Sequence, residues 1–309
     1  IHSIRRDEFR ARQFGQYQLK DKLGSGGMGE VYRAEHTLLK RPCAVKLIQT
    51  DDEVSEELLA RFEKEVRSTA MLSHPHTVEV YDFGHTADGT FYYVMELLPG
   101  MSLDALVRRH GPMPPERAVH FLRQVCGALR EAHAVGLIHR DIKPANIIAA
   151  ERGGIWDFAK VLDFGLVREV PTGTVVDPRL TTQGMVGGSP YYMPPEQVTA
   201  FRDANARSDL YSLGGVGYFL LTGRPPFSAR RPTDVLVAHS RGAVVAPSEH
   251  NPEVPQDLEQ ILLRCLAKDP GDRYADVSRL DDALADCACS GQWTDERAAA
   301  WWRGNQSAT

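Results

Sequence analysis

The chain has 309 residues, 42% of them hydrophobic and 25% charged, the balance of an ordinary globular protein with room for one large domain or two lobes. Its 36 Lys and Arg against 41 Asp and Glu leave a formal charge of −5, so no basic surface supports bulk nucleic-acid binding. The longest apolar run, 213–221, is too short to span a bilayer, and Arg5, Arg6, Asp7 and Glu8 interrupt any signal peptide.

Five cysteines, at 43, 126, 265, 287 and 289, lack a framework spacing and read as reduced thiols in a cytosolic setting. Cys287 and Cys289 have no second Cys or His pair nearby, so helix packing is favoured over metal binding. The chain opens on Ile1 rather than Met. The expectation is a piece of a longer protein, with any membrane tether outside this piece.

In chain order, short strands come first. Residues 17–20, 31–34, 44–48, 78–81 and 91–95 show strand-like alternation or apolar density. One helix over about 55–72 interrupts them, with Ser55 as N-cap and Glu56 and Glu57 in the first turn. Beyond residue 101 the pattern turns helical. Ala118, Phe121, Leu122, Val125 and Leu129 form a stripe after Pro114 and Pro115. Further helices are expected over about 206–222, 256–267 and 277–287. Residues 166–190, rich in Gly and Thr, read as a mobile loop. The expectation is therefore a sheet-rich small lobe over 1–98 and a mainly helical large lobe over 99–309, with a ligand cleft between them.

Gly24-Ser25-Gly26-Gly27-Met28-Gly29 is a G-x-G-x-x-G run, weak by itself. A dinucleotide site needs a helix directly after the glycines. Here a strand, Val31-Tyr32-Arg33-Ala34, follows instead. A strand–loop–strand hairpin would make a flap whose backbone N–H groups close over phosphates, with Leu23 and Val31 roofing a base. Lys46 lies in the apolar strand Ala44-Val45-Lys46-Leu47-Ile48, where an unpaired charge is costly. On the expected helix, Leu58, Phe62, Val66 and Thr69 share a face and Glu65 sits at its edge, so Glu65 is the candidate partner of Lys46. The bland alternative is a lysine that snorkels to water.

The most specific pattern is His139-Arg140-Asp141-Ile142-Lys143-Pro144-Ala145-Asn146, followed seventeen residues after Asn146 by Asp163-Phe164-Gly165. One loop Asp can orient a hydroxyl, while Asn146 and Asp163 offer the oxygen ligands that Mg²⁺ prefers. In this order, after a glycine loop and an embedded lysine, the set resembles the protein kinase family, from about residue 17 to 284. Met193-Pro194-Pro195-Glu196, Asp209 and Arg273 extend the resemblance.

The resemblance implies an α+β, bilobal protein-kinase fold with a small antiparallel-sheet lobe carrying one helix and a larger helical lobe. It implies ATP with Mg²⁺, or Mn²⁺ in its place, and protein substrates phosphorylated on Ser or Thr. Asp141 would accept or orient the hydroxyl proton, and Lys143 would steady the phosphoryl group. Lys46 would hold phosphates with Glu65 behind it, and Asn146 and Asp163 would bind metal. Leu23 to Gly29, Val31, Ala44, Met95, Glu96, Leu98 and Ile148 would hold the nucleotide. Asp209 would anchor the catalytic loop, and Arg273 would pair with Glu196. Lys143 is similar to the serine/threonine branch. Ser189 stands where the family usually has Thr, and Pro194 where it usually has Ala.

Arg140 beside Asp141 implies a signalling kinase controlled by autophosphorylation of the loop at Thr181 or Thr182. The style of the motifs is similar to bacterial kinases, which pair through their small lobes and are often tethered beyond the domain. Trp293, Trp301 and Trp302 in a short C-terminal helix are expected to pack on their own domain. Two rivals are weighed: a pseudokinase, disfavoured by the complete motif set, and a small-molecule phosphotransferase, disfavoured by Lys143 and the 189–196 segment.

Overall fold

The computed structural model describes residues 13–26, 29–48, 63–64, 66–86, 90–164, 190–199 and 203–305. They divide into two compact units, one within Ile1–Ser73 and Val78–Leu97, the other within His74–Thr77, Leu98–Gly165 and Val175–Thr309.

The first unit is built on a six-stranded antiparallel sheet in the order β1-β2-β3-β4-β6-β5. Its strands are β1 (Gln13–Phe14), β2 (Tyr17–Gly26), β3 (Gly29–His36), β4 (Pro42–Ile48), β5 (Val80–His85) and β6 (Phe91–Glu96). Period-two alternation sends Cys43, Val45 and Leu47 of β4 into one core with Phe14, Tyr17, Leu19, Ala34 and Val94. Each large apolar side chain so buried contributes roughly 1.5–3 kcal/mol before entropy is counted. Ala44, Lys46 and Ile48 occupy the other face of β4 and are buried too. Lys46 is thus the one charge in a strand covered on both sides.

Of the helix expected over about 55–72, residues 63–64 and 66–70 are helical, with Val66 and Thr69 buried. Leu58, Phe62 and Glu65 lie outside the described residues, as do the 165–189 segment with Thr181, Thr182 and Ser189.

The second unit is mainly helical. Among the described residues its helices are α1 (Leu103–His110), α2 (Pro115–Ala134), α3 (Pro195–Thr199), α4 (Ala206–Thr222), α5 (Pro232–Arg241), α6 (Pro247–His250), α7 (Gln256–Cys265), α8 (Val277–Asp286) and α9 (Asp295–Asn305). Helix α2 starts on Pro115, whose missing N–H costs nothing there. The expected stripe Ala118, Phe121, Leu122, Val125 and Leu129 is its buried face. Helix α4 is buried all round, which its lack of charge after Asp209 permits.

Reading everything after residue 101 as helical overlooks a second sheet. Strands β7 (Gly100–Ser102), β8 (Ile147–Arg152) and β9 (Ile155–Val161) form it in chain order. Ile147-Ile148-Ala149-Ala150 is a short apolar run, which periodicity alone cannot divide between helix and strand.

The C-terminal tryptophans pack on their own unit, as expected, and they do so around Asp157 of β9. This carboxylate is fully buried at a left-handed φ of 54°. Arg117 of α2 forks onto it with two bonds of 2.8 Å. The indole N–H groups of Trp293 and Trp302 donate to it at 2.9 and 2.7 Å. Trp301 stacks over the guanidinium, 3.7 Å from carbon to ring centre. Four donors and one matched cation make burial of this charge tolerable.

Two substitutions test that account. Asp157→Ala strands the Arg117 cation and is expected to cost about 3–5 kcal/mol. Trp302→Phe removes a single bond to a charged acceptor and is expected to cost about 1.5–3 kcal/mol. Urea melts with unchanged slope would read both.

Candidate active site

The glycine run begins and ends in paired strands of the first sheet. β2 ends at Gly26, β3 begins at Gly29, and the two are paired across the ladder; Gly27 and Met28 lie outside the described residues. Gly29 has φ +126°, and a Cβ there would stand 1.8 Å from the Leu47 carbonyl oxygen. Only glycine lets the start of β3 lie this close on β4. The same β3–β4 register sets Val31 opposite Lys46.

Lys46 is 6% exposed, with its ammonium 5.8 Å from the centre of the Tyr93 ring. Ala44 and Met95 are buried and face one another in the β4–β6 ladder. Leu23 is exposed. Glu96 and Glu79 are joined by two 3.0 Å bonds, Glu96 N–H to the Glu79 carbonyl and Glu79 N–H to Glu96 Oε1. Leu98 and Ile148 belong to the second unit and are half-buried.

In the second unit the loop 139–146 is organised by Asp209 of α4. This carboxylate is fully buried and accepts from His139 N–H at 2.9 Å, Arg140 N–H at 2.8 Å and His133 Nε2 at 2.8 Å. The His133 Nε2–H is the donor to this carboxylate, and its buried Nδ1 has no hydrogen-bond partner. Arg140 takes φ 64°, a left-handed conformation that its bonded N–H holds in place.

His139 is the second fixing point. Burial pushes its imidazole below the usual range. It accepts from Asp141 N–H at 3.2 Å through Nδ1 and donates to the Leu162 carbonyl at 2.8 Å through Nε2. Its ring also lies 4.6 Å from that of Phe164, which is fully buried. Asp163, between Leu162 and Phe164, has φ 57°.

The β8–β9 hairpin explains the seventeen-residue gap between Asn146 and Asp163. Ile147 pairs with Val161, and Leu162 N–H donates to the Asn146 carbonyl at 2.8 Å. The two candidate metal ligands are therefore adjacent in space. On the loop itself, Lys143 Nζ lies 2.8 Å from Asp141 Oδ2. Asn146 Nδ2 donates to the same oxygen at 3.1 Å and to the Asp141 carbonyl at 2.9 Å.

A model of the protein kinase domain matches residues 17–286. The chain belongs to the protein kinase family. It is 39% identical over 271 residues to the serine/threonine-protein kinase PknE of Mycobacterium bovis, covering 88% of this chain and 46% of that protein. It is 39% identical over 268 residues to PknB of Mycobacterium leprae, covering 86% and 42% respectively. The chain thus spans about half the length of the curated relatives it matches. Among solved structures, the kinase domain of Mycobacterium tuberculosis PknI superposes with a TM-score of 0.70 at 26% identity, covering 90% of this chain and 97% of that one.

One further ion pair, with its arginine buried, braces this kinase domain. Arg273, 2% exposed, forks onto Glu196 at 2.8 and 2.9 Å, and Ser208 Oγ donates to the same carboxylate at 2.6 Å. The expected Glu196–Arg273 pairing is therefore present. Burial alone would raise the Glu196 carboxyl, but the bonds from Arg273 and Ser208 outweigh it and hold the group below the usual carboxylate range.

The motif reading gave no role to His133, His139 or Phe164, which position the others. His133 carried a signal, because it follows the apolar stripe of α2 yet sits only eight residues before Asp141.

Gly29→Ala is expected to cost at least about 1–3 kcal/mol in strain, read as a lower thermal midpoint. Glu196 also predicts a pH dependence. A carboxyl lowered in the folded state contributes fully above its unfolded value, about pH 4.5, and loses that contribution as pH falls through the folded value. Stability curves of wild type and Glu196→Gln should converge over that acid range.

Proposed function

We propose that this chain transfers the γ-phosphoryl group of ATP to serine or threonine hydroxyls of protein substrates, with Mg²⁺ as the divalent ion and Mn²⁺ able to replace it. The observation that carries this reading is the Asp141 carboxylate, held between Lys143 and Asn146 on a loop fixed by Asp209. An acceptor oxygen in that setting suits a hydroxyl proton, and Lys143 beside it suits the charge of the phosphoryl group.

The donor set fits a hard cation. The Asn146 amide nitrogen is engaged on Asp141, leaving the amide oxygen for the metal, and Asp163 supplies a carboxylate. Among the described residues no cluster of three or more His, Cys, Asp or Glu is disposed to hold a metal. Mg²⁺ commonly takes few protein ligands and shares substrate phosphates. When bound, the ion would neutralise charge developing on those phosphates.

In the same reading Lys46, backed by Glu65, steadies the phosphates, and the hairpin from Leu23 to Gly29 with Val31 covers them. Ala44, Met95, Glu96, Leu98 and Ile148 hold the base. With its N–H given to Glu79, Glu96 meets the base through its carbonyl. Residues 1–98 act as the nucleotide lobe and 99–309 as the catalytic lobe. Thr181 and Thr182 are the regulatory sites, a phosphate there pairing with Arg140. A signalling role in the cytoplasm, pairing through the small lobe and a membrane tether outside this chain rest on the resemblance to bacterial kinases alone. Among the described residues no helix is long and apolar enough to cross a membrane.

Incubation with Mg-ATP and a general protein substrate, followed by mass-spectrometric mapping, should place phosphate on Ser and Thr. Asp141→Asn is expected to lower turnover by about 10²–10⁴-fold. Thr181→Ala with Thr182→Ala should also lower it. Equal turnover in wild type and Asp141→Asn would sink the assignment of Asp141, and an inert wild type would favour a pseudokinase.

A further inference from the structure

Two thiols lie side by side in a segment that phosphoryl transfer does not use. Helix α8 ends at Asp286, and at the next residue, Cys287, the backbone becomes extended at φ −70° and ψ 148°. The chain then closes a tight turn, with Ser290 N–H donating to the Cys287 carbonyl at 2.9 Å. Both side chains of this turn are buried, and their sulfurs are 3.7 Å apart. That is van der Waals contact. Cys287 Sγ donates to the Leu284 carbonyl at 3.1 Å, so the Cys289 S–H is the one aimed at the Cys287 sulfur.

We propose that Cys287 and Cys289 form a redox modification site, a dithiol that a hydroperoxide closes to an intramolecular disulfide. Three observations support it besides the contact. The bond from Cys289 holds the Cys287 thiol below the usual range and pushes Cys289 up, which divides the pair into an attacking and a resolving sulfur. Burial pushes the thiols of Cys43, Cys126 and Cys265 up, and none of these has a neighbouring thiol bond to offset it. Ser290 and Gly291, the next residues along, line a groove of about 380 Å³ beside the turn that holds the pair.

The chemistry balances. The Cys287 thiolate attacks one peroxide oxygen, the O–O bond breaks, and the departing hydroxide takes up the thiol's proton as water. Cys287 is left as a sulfenic acid. The Cys289 sulfur then attacks the Cys287 sulfur, the S–O bond breaks, and hydroxide leaves with the Cys289 proton as a second water. Two thiols are oxidised and one peroxide is reduced. Contact within one turn replaces diffusional encounter. A ring spanning a single residue is strained, so thiol reductants should reopen it readily.

The test uses the 309-residue chain and hydrogen peroxide. After exposure, alkylation and trypsin digestion, residues 280–297 form a peptide that holds Cys287 and Cys289 and no other cysteine. The expected product is that peptide unalkylated and two hydrogens lighter, restored by dithiothreitol, with titratable thiols falling from five to three. Cys289→Ser, nearly isosteric and checked for an unchanged thermal midpoint, should instead leave a sulfenic acid on Cys287 that dimedone traps. Full alkylation of both cysteines after exposure, sulfonic acids without ring closure, or disulfide-linked dimers would each overturn the proposal.

Discussion

Burial of the Asp209 charge is the constraint from which the catalytic loop takes its shape. A carboxylate with no access to water needs its oxygens filled by donors. Here the donors are the backbone N–H groups of His139 and Arg140 together with His133. Satisfying Asp209 therefore sets the backbone just before Asp141 and holds Arg140 in a left-handed conformation it would not adopt alone. His139 passes the constraint on, because one ring nitrogen takes Asp141 N–H and the other gives to Leu162. The loop and the segment ending in Asp163 are thus two consequences of one buried charge.

The elements most legible in the sequence are those with a strong period or strong punctuation. The β4 strand, the α2 stripe behind Pro115 and the core helix α4 all fall where pattern predicts them. The motif residues were legible as a set, since Asp141, Lys143 and Asn146 share one loop and do meet. The β7–β9 sheet was not legible, because Ile147-Ile148-Ala149-Ala150 is too short to reveal a period. That omission hid the reason Asn146 and Asp163 are neighbours, which is a ladder and not a loop. His133 and His139 were hidden differently. Their importance lies in hydrogen bonds to a residue some seventy positions away, which no local pattern encodes.

The half-buried Glu196 and the fully buried Asp157 show two ways of stabilising a charge in the same unit. Glu196 is met by Arg273 and a hydroxyl, and Arg273 spends its remaining donors on the Ala267, Lys268 and Arg207 carbonyls. That pair ties α3 to the loop before α8 through backbone as well as side chain. Asp157 is met by Arg117 and two indoles, so its partners are covered by aromatic rings. The first arrangement is polar throughout, while the second depends on excluding water with bulk.

The region matched by the family model stops at residue 286, yet the partners of Asp157 reach to Trp302. A fragment trimmed to the matched region would keep Asp157 and Arg117 but lose both indole donors and the ring over the guanidinium. Water would then reach a guanidinium that the intact chain keeps dry. For this chain, the usable boundary of the folded unit is drawn by the hydration of one arginine, and lies beyond the last residue that the family model matches.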